Sequence, residues 1–263
     1  MEKYLKVSIK VNRKKMILIS KLRTLIRVVL KILYEKIYIN IIFKSLLSSK
    51  NYEKKEIIDK FHRFYYYSHK FGGTWKNTQW LGVSIYKNPL DLWIYQEIIY
   101  TLKPDIIIEC GTKYGGSALY FATLCDIVNN GEIITIDIEA QKNRPQHKRI
   151  QYLLGDATSK EIIGQLEKLT SGNKKVMVVL DDLHIKDHVL EELRIYSKFV
   201  SKESYLIVED THLNNHPIDP FFGPGPMEAI KEFLKVNNNF KVDKSKEKFY
   251  MTWNRNGFLK KIK

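Results

Sequence analysis

The chain has 263 residues, 44% of them hydrophobic and 28% charged, with a formal net charge of +15. That length can bury one substantial core with room for a smaller addition before or after it. Only two cysteines occur, Cys110 and Cys125, without C-x-x-C spacing, which excludes a disulfide framework and fits a reducing cytoplasm. The charge is uneven: residues 1–70 carry 18 Lys/Arg against 5 Asp/Glu, net +13, and the remainder is close to neutral at +2. Within that basic segment, Arg23, Arg27, Lys31 and Glu35 recur every fourth residue through an apolar run from Met16 to Leu47, the pattern of an amphipathic helical arm. The charges break every apolar stretch well short of a membrane span, and no small-residue cleavage site follows, so neither a transmembrane helix nor a signal peptide is expected. Two readings of the arm stand together: peripheral contact with an anionic inner membrane face through residues 16–47, or packing on the core or on another subunit of a homo-oligomer. Basic residues interleave with Tyr65, Tyr66 and Tyr67, but no nucleic-acid module accompanies them, and no nucleic-acid partner is expected.

The chain is organised around Ile106–Ser117, an apolar run that ends in Glu109 and breaks into a glycine turn. Its β-branched residues suit a strand buried on both faces, and Ser117 to Leu124 suits the helix that follows. Gly111, Gly115 and Gly116 lack the Cβ atoms that would keep a ligand from the backbone, and Thr112 and Ser117 lie on the same turn, where free N–H groups of a helix start point into a crevice. The spacing is G-x-x-x-G-G, unlike the G-x-G-x-x-G of a dinucleotide site, and an acid at Glu109 would repel a pyrophosphate. It would attract an ammonium, and S-adenosylmethionine (SAM) carries an ammonium and a sulfonium.

Glu132–Asp137 reads as a second strand ending in an acid, and Asp137 is placed to accept from both ribose hydroxyls. A third strand, Ile150–Leu154, leads to Asp156, which either accepts from the adenine amino group or starts the next helix. Two further buried strands each deliver acids and an imidazole to one sheet edge: Val176–Leu180 before Asp181, Asp182 and His184, and Tyr205–Val208 before Glu209, Asp210 and His212. If these strands are neighbours, Asp181, Glu209 and Asp210 share one crevice. Carboxylates so close raise one another's pKa or require a cation, and oxygen ligands suit Mg2+.

Trp80-Leu81-Gly82-Val83, then the run Lys87-Asn88-Pro89-Leu90-Asp91 to Glu97, then Pro104-Asp105-Ile106-Ile107-Ile108-Glu109 with Gly111-Thr112 and Gly115-Gly116-Ser117, resembles the cephalosporin hydroxylase family, which includes rhamnosyl and other sugar O-methyltransferases. The likeness runs from about Trp80 to the C-terminus. It implies a Rossmann-like class I methyltransferase fold, an α/β domain over 71–263 with a seven-stranded, mostly parallel sheet and helices on both faces, behind an N-terminal helical arm over 1–70. It also implies Mg2+ held by Asp181, Glu209 and Asp210, with His184 as base, Asp181 counting with the cofactor contacts as well. The expected reaction is methyl transfer from SAM to a sugar hydroxyl of a glycan, glycolipid or glycosylated natural product, as in polysaccharide biosynthesis.

Beyond Asp210, Asn215 to Pro226 reads as a loop over the acceptor, alternating stiff prolines with permissive glycines like a lid. The tail offers strand-like runs at Phe240–Val242, Lys248–Trp253 and Phe258–Ile262, with Asn256-Gly257 as a hairpin signal. The family label invites a hydroxylase, but His184-Ile-Lys-Asp187 has the wrong spacing for the iron oxygenase H-x-D set. A catalytically silent SAM-binding subunit is the remaining alternative.

Overall fold

The computed structural model describes residues 51–263 and, before them, only the helical positions 25, 26, 29, 30, 33 and 37. The expected arm over 16–47 therefore lies largely outside the described residues, and the six described positions carry exposed apolar side chains. No helix among the described residues is long and apolar enough to cross a membrane. The chain divides into two compact units, Met1–Ile57 and Ile58–Lys263.

Helix α1 (Asn51–Tyr67) leads through two 3-10 turns to a short hairpin, β1 (Gln79–Trp80) and β2 (Val83–Ser84). Then α2 (Pro89–Leu102), β3 (Ile106–Cys110), α3 (Gly116–Val128), β4 (Glu132–Asp137), β5 (Ile150–Leu154), α4 (Lys160–Leu169), β6 (Val176–Leu180), α5 (Lys186–Tyr196), β7 (Tyr205–Val208), α6 (Pro226–Val236), β8 (Phe240–Val242) and β9 (Phe258–Lys261) follow. Seven strands form one sheet in the order β5-β4-β3-β6-β7-β9-β8. The first five are parallel, and β9 runs antiparallel between β7 and β8.

The apolar runs dictate this layering. Strands β3, β6 and β7 are buried along their whole length, as central parallel strands covered on both faces must be. Alternation sends Ile106, Ile108 and Cys110 into one core with Leu166 of α4, Leu193 of α5 and Phe233 of α6. Ile107 goes to the opposite core, with Ile94 and Ile98 of α2 and Phe121 and Ala122 of α3. The sheet order brings β6 and β7 side by side, with Leu180 opposite Val208, so the residues after both strands emerge together.

The tail differs from expectation. β8 pairs with β9 as the antiparallel edge, but Lys248–Trp253 forms no strand. Its backbone groups are satisfied elsewhere: Trp253 N–H donates to Asp91 Oδ2 at 2.9 Å, and the Trp253 carbonyl accepts from Thr211 Oγ1 at 3.0 Å. The turn at Asn254–Gly257 exists, closed by Gly257 N–H to the Asn254 carbonyl at 2.8 Å, but it feeds β9 from a loop.

The glycines of the turn after β3 serve chain-to-chain contact first. A Cβ on Gly111, whose φ is +97°, would lie 2.1 Å from the Asp181 carbonyl, and one on Gly116 would lie 2.2 Å from that of Ser84. Gly111 thus sets how closely the ends of β3 and β6 approach. Gly111→Ala is expected to cost more than about 1 kcal/mol through both strain and clash, read as a lowered urea midpoint at unchanged slope.

Candidate functional site

A cavity of about 680 Å3 opens at the carboxyl ends of the parallel strands, where open α/β sheets bind their ligands. Gly111 and Lys113 line it after β3, Asp137 to Glu139 after β4, Gly155 to Ala157 after β5, Asp181 to His184 after β6, and Asp210 after β7. Tyr66, Trp75, Tyr86 and Trp253 complete the wall.

The acids after β6 and β7 are held by a cation from α2. Asn88 caps that helix by accepting from Leu90 N–H at 3.2 Å, and Pro89 occupies its first turn, which fixes Lys87 just outside the helix start. The buried Lys87 ammonium donates to Asp181 Oδ2 and, at 2.7 Å, to Glu209 Oε1. The Tyr95 hydroxyl donates to the same Glu209 oxygen at 2.6 Å. Burial alone would lower the Lys87 pKa, but Asp181 and Glu209 together raise it, so the ammonium is charged.

Adjacent residues in β7's exit are driven in opposite directions. Burial, then the Asp181 charge, pushes Glu209 up to about 8. Burial also acts against Asp210, but His184 and His212 outweigh it and hold that carboxyl well below the usual range. Asp210 has a φ of +52°, which an Asp tolerates better than most residues, and this aims its carboxylate between two imidazoles. His184 Nε2 lies 2.9 Å from Oδ2 and His212 Nε2 lies 3.2 Å from Oδ1. Burial works against charge on His184, yet Asp210 raises it to about 9. Behind it, His212 Nδ1 lies 2.8 Å from Nε2 of His62, which burial pushes down to about 2. With His212 donating from Nε2 to Asp210, its Nδ1 accepts from His62, so one proton chain ties α1 to Asp210.

Asp181, His184 and Asp210 present donor atoms all within 4.8 Å of one another. Glu209 does not join that group; its hydrogen bonds to Lys87 and Tyr95 both fall on Oε1. Glu109, expected to attract the donor's ammonium, has no place on the cavity wall. It is fully buried, with Oε2 accepting from Thr135 at 2.6 Å and Oε1 unpartnered, and burial pushes it up to about 7. Thr112, Gly115, Gly116 and Ser117 are likewise spent inward: Thr112 Oγ1 lies 2.6 Å from Thr135 Oγ1, and Gly115 faces Pro145. Asp137 is on the wall, accepting at Oδ2 from Lys113 N–H at 2.7 Å and Arg144 at 2.9 Å. Asp156 is also there, taking Thr158 N–H at 2.7 Å in a local turn.

The proline- and glycine-rich segment after Asp210 is anchored along its first part, from Pro217 to Asp219, while Phe221 stands exposed beyond it. Tyr67 donates to Asp219 at 2.9 Å and Arg63 to the Pro217 carbonyl at 3.3 Å, while Ile218 is fully buried. Sequence reading missed Lys87, Tyr95 and His62 as parts of the site, along with the aromatic wall, in which Tyr66 stacks on Trp75 at 5.4 Å and 18°. The signal for Lys87 was present: an Asn-Pro helix start with a lysine immediately before it.

A seven-stranded sheet of this order, with a cavity over a glycine turn and facing acids, defines a Rossmann-like methyltransferase. The family profile described as rhamnosyl O-methyltransferase/CmcI matches residues 72–262, and the chain belongs to that family. Similar relatives include the rhamnosyl O-methyltransferase of Mycobacterium tuberculosis (strain H37Rv), 34% identical over 210 residues that cover 77% of this chain and 84% of that protein. Its counterpart in Mycobacterium leprae is 33% identical over 209 residues, covering 77% and 90%. Among solved structures, apo CmcI superposes with a TM-score of 0.57 at 19% identity, covering 72% of this chain and 77% of the other. CmcI with Mg and SAM does so with a TM-score of 0.57 at 18% identity, covering 72% and 78%; at such identities the likeness speaks for the fold alone.

Removing Lys87 would leave the buried Glu209 and the half-buried Asp181 unbalanced. Lys87→Met is expected to lower stability by roughly 3–5 kcal/mol, and adding Glu209→Gln to recover part of it. Urea denaturation of the single and double variants checks this, and equal losses in both would show that the ammonium is not their counter-charge.

Proposed function

We propose that this protein transfers the methyl group of SAM to a hydroxyl of a sugar-containing acceptor, with Mg2+ held by the strand-end acids. The observation that carries this reading is the convergence of Asp181, His184 and Asp210 on the cavity wall, in a chain whose relatives are rhamnosyl O-methyltransferases. That CmcI has been solved with Mg and SAM supports the same pair of cofactors.

The donor set fits a divalent ion: acids from two neighbouring strands already face one another, and oxygen ligands suit a hard cation. Asp181 and Asp210 would hold it, with Glu209 as the third ligand through the oxygen that Lys87 and Tyr95 leave aside. The bound ion would supply positive charge beside the acceptor oxygen as its proton leaves. His184, on the wall next to both acids, would take that proton once the ion's charge offsets the Asp210 carboxylate that otherwise keeps its imidazole protonated. Lys87 holds Asp181 and the His212–His62 pair holds Asp210, so these two already face one another, while Glu209 would have to turn its second oxygen toward them to complete the set. The nucleoside half of SAM fits the floor made by Gly111, Asp137 and Asp156, with Asp137 for the ribose hydroxyls and Asp156 for the adenine amino group. The aromatic side chains of Tyr66, Trp75, Tyr86 and Trp253 offer flat apolar faces with polar edges, suited to the C–H face of a sugar ring.

Asp181→Asn and His184→Ala are expected to abolish methylation of deoxy-sugar glycans while calorimetry finds SAM affinity changed no more than a few-fold. Exhaustive EDTA dialysis is expected to stop turnover and added Mg2+ to restore it; undiminished methylation after dialysis would rule out the metal-assisted reading.

The protein works in the cytoplasm in this reading, and its basic segment docks on an anionic membrane surface near a lipid-linked acceptor. Exposed apolar side chains at the described positions from Leu25 to Ile37 support that, together with the +13 charge of residues 1–70. Deleting residues 1–50 is expected to abolish co-sedimentation with anionic liposomes. Unchanged sedimentation would instead favour packing in a homo-oligomer, which the mass of the intact protein in solution would reveal.

A further inference from the structure

A second set of donors lies beside the first. Asp182 follows Asp181 directly, and α5 brings His188 and Glu192, one turn apart, against it. His188 Nε2 stands 3.0 Å from Asp182 Oδ2 and 3.9 Å from Glu192 Oε2, and donor atoms of all three residues lie within 4.8 Å of one another. Glu192 is fully buried, with the Asp182 carboxyl and the Cys110 thiol beside it, and neither of its oxygens is satisfied by a well-formed hydrogen bond. A carboxyl taken out of water without donors is costly, so this one needs either a proton or a cation.

The geometry suits the cation. Metal–donor bonds of about 2.0–2.2 Å place neighbouring donors roughly 3–3.5 Å apart; the His188–Asp182 distance of 3.0 Å meets that spacing and the His188–Glu192 distance of 3.9 Å lies a little beyond it. One imidazole with two carboxylates is a donor set for a first-row transition ion, whereas Mg2+ and Ca2+ prefer oxygen alone. We propose that Asp182, His188 and Glu192 form a second divalent-metal site, selective for Zn2+ or a similar imidazole-binding ion. Asp182 and His188 both line the large cavity, so an ion there fastens the start of α5 to the end of β6 and fixes that wall. The inference stands on these three residues and holds whether or not the protein methylates sugars.

Co2+ is the probe, followed by calorimetry and visible absorbance on the full-length protein after dialysis against a chelator. In the Asp181→Asn/Asp210→Asn variant, where the first group is disabled, one Co2+ per chain is expected. Adding Glu192→Gln, which keeps the side-chain shape, is expected to weaken that binding at least about tenfold. His188→Gln, at a partly exposed position, should do the same and decides the matter if a Glu192 variant fails to fold. In the otherwise unaltered chain, either single change should lower the Co2+ bound from two equivalents to one. Absence of Co2+ from the Asp181→Asn/Asp210→Asn variant overturns the site. So does binding that neither Glu192→Gln nor His188→Gln weakens; Glu192 would then hold a proton in place of a metal.

Discussion

One buried ammonium holds the chemistry together. Parallel strands β6 and β7 deliver carboxylates side by side, and nothing in the sheet itself offsets the repulsion between them. Lys87 does so from outside the sheet, placed by the capped start of α2 and reaching both Asp181 and Glu209. The consequence is a division of labour between neighbours in sequence. Glu209 faces the ammonium and Tyr95, while Asp210 turns to the imidazoles of His184 and His212. Burial and the Asp181 charge raise Glu209 in spite of the ammonium, while the imidazoles lower Asp210, so two acids in consecutive positions acquire opposite protonation tendencies.

The close approach of β3 and β6 is the second constraint. Gly111 lets the Asp181 carbonyl come within a distance no other residue would allow, which brings the glycine turn and the acid-bearing loop to opposite sides of one cavity. Glycines in a strand-to-helix turn invite interpretation as ligand cradles. Here Gly111 and Gly116 are needed to pass backbone against backbone, and any cofactor meets a turn already shaped by that packing.

Much of this was legible in the chain. The fully apolar runs from Ile106, Val176 and Tyr205 could only be central parallel strands, and the acids that end them had to emerge at one edge. What periodicity could not supply was which long-range partner each polar group would find. Asp137 reaches the cavity wall but also accepts from Arg144 and the Lys113 amide, and Glu109 turns inward to Thr135, although its place at a strand end suggested a ligand contact. Lys248–Trp253 has strand composition, yet its backbone is claimed by Asp91 and Thr211, residues far away in sequence. Local propensity lost there to tertiary hydrogen bonding. The Tyr65–Tyr67 run showed a similar ambiguity. Tyr66 lines the cavity's outer wall and Tyr67 secures the segment around Asp219.

That outer wall has an evolutionary implication. The family likeness begins at residue 72, yet Tyr66 faces the cavity and His62 buttresses His212 from the helix before it. A substitution in the leading helix therefore reaches the site directly, at His212 through His62 and at the cavity wall through Tyr66, so the two stretches are constrained together.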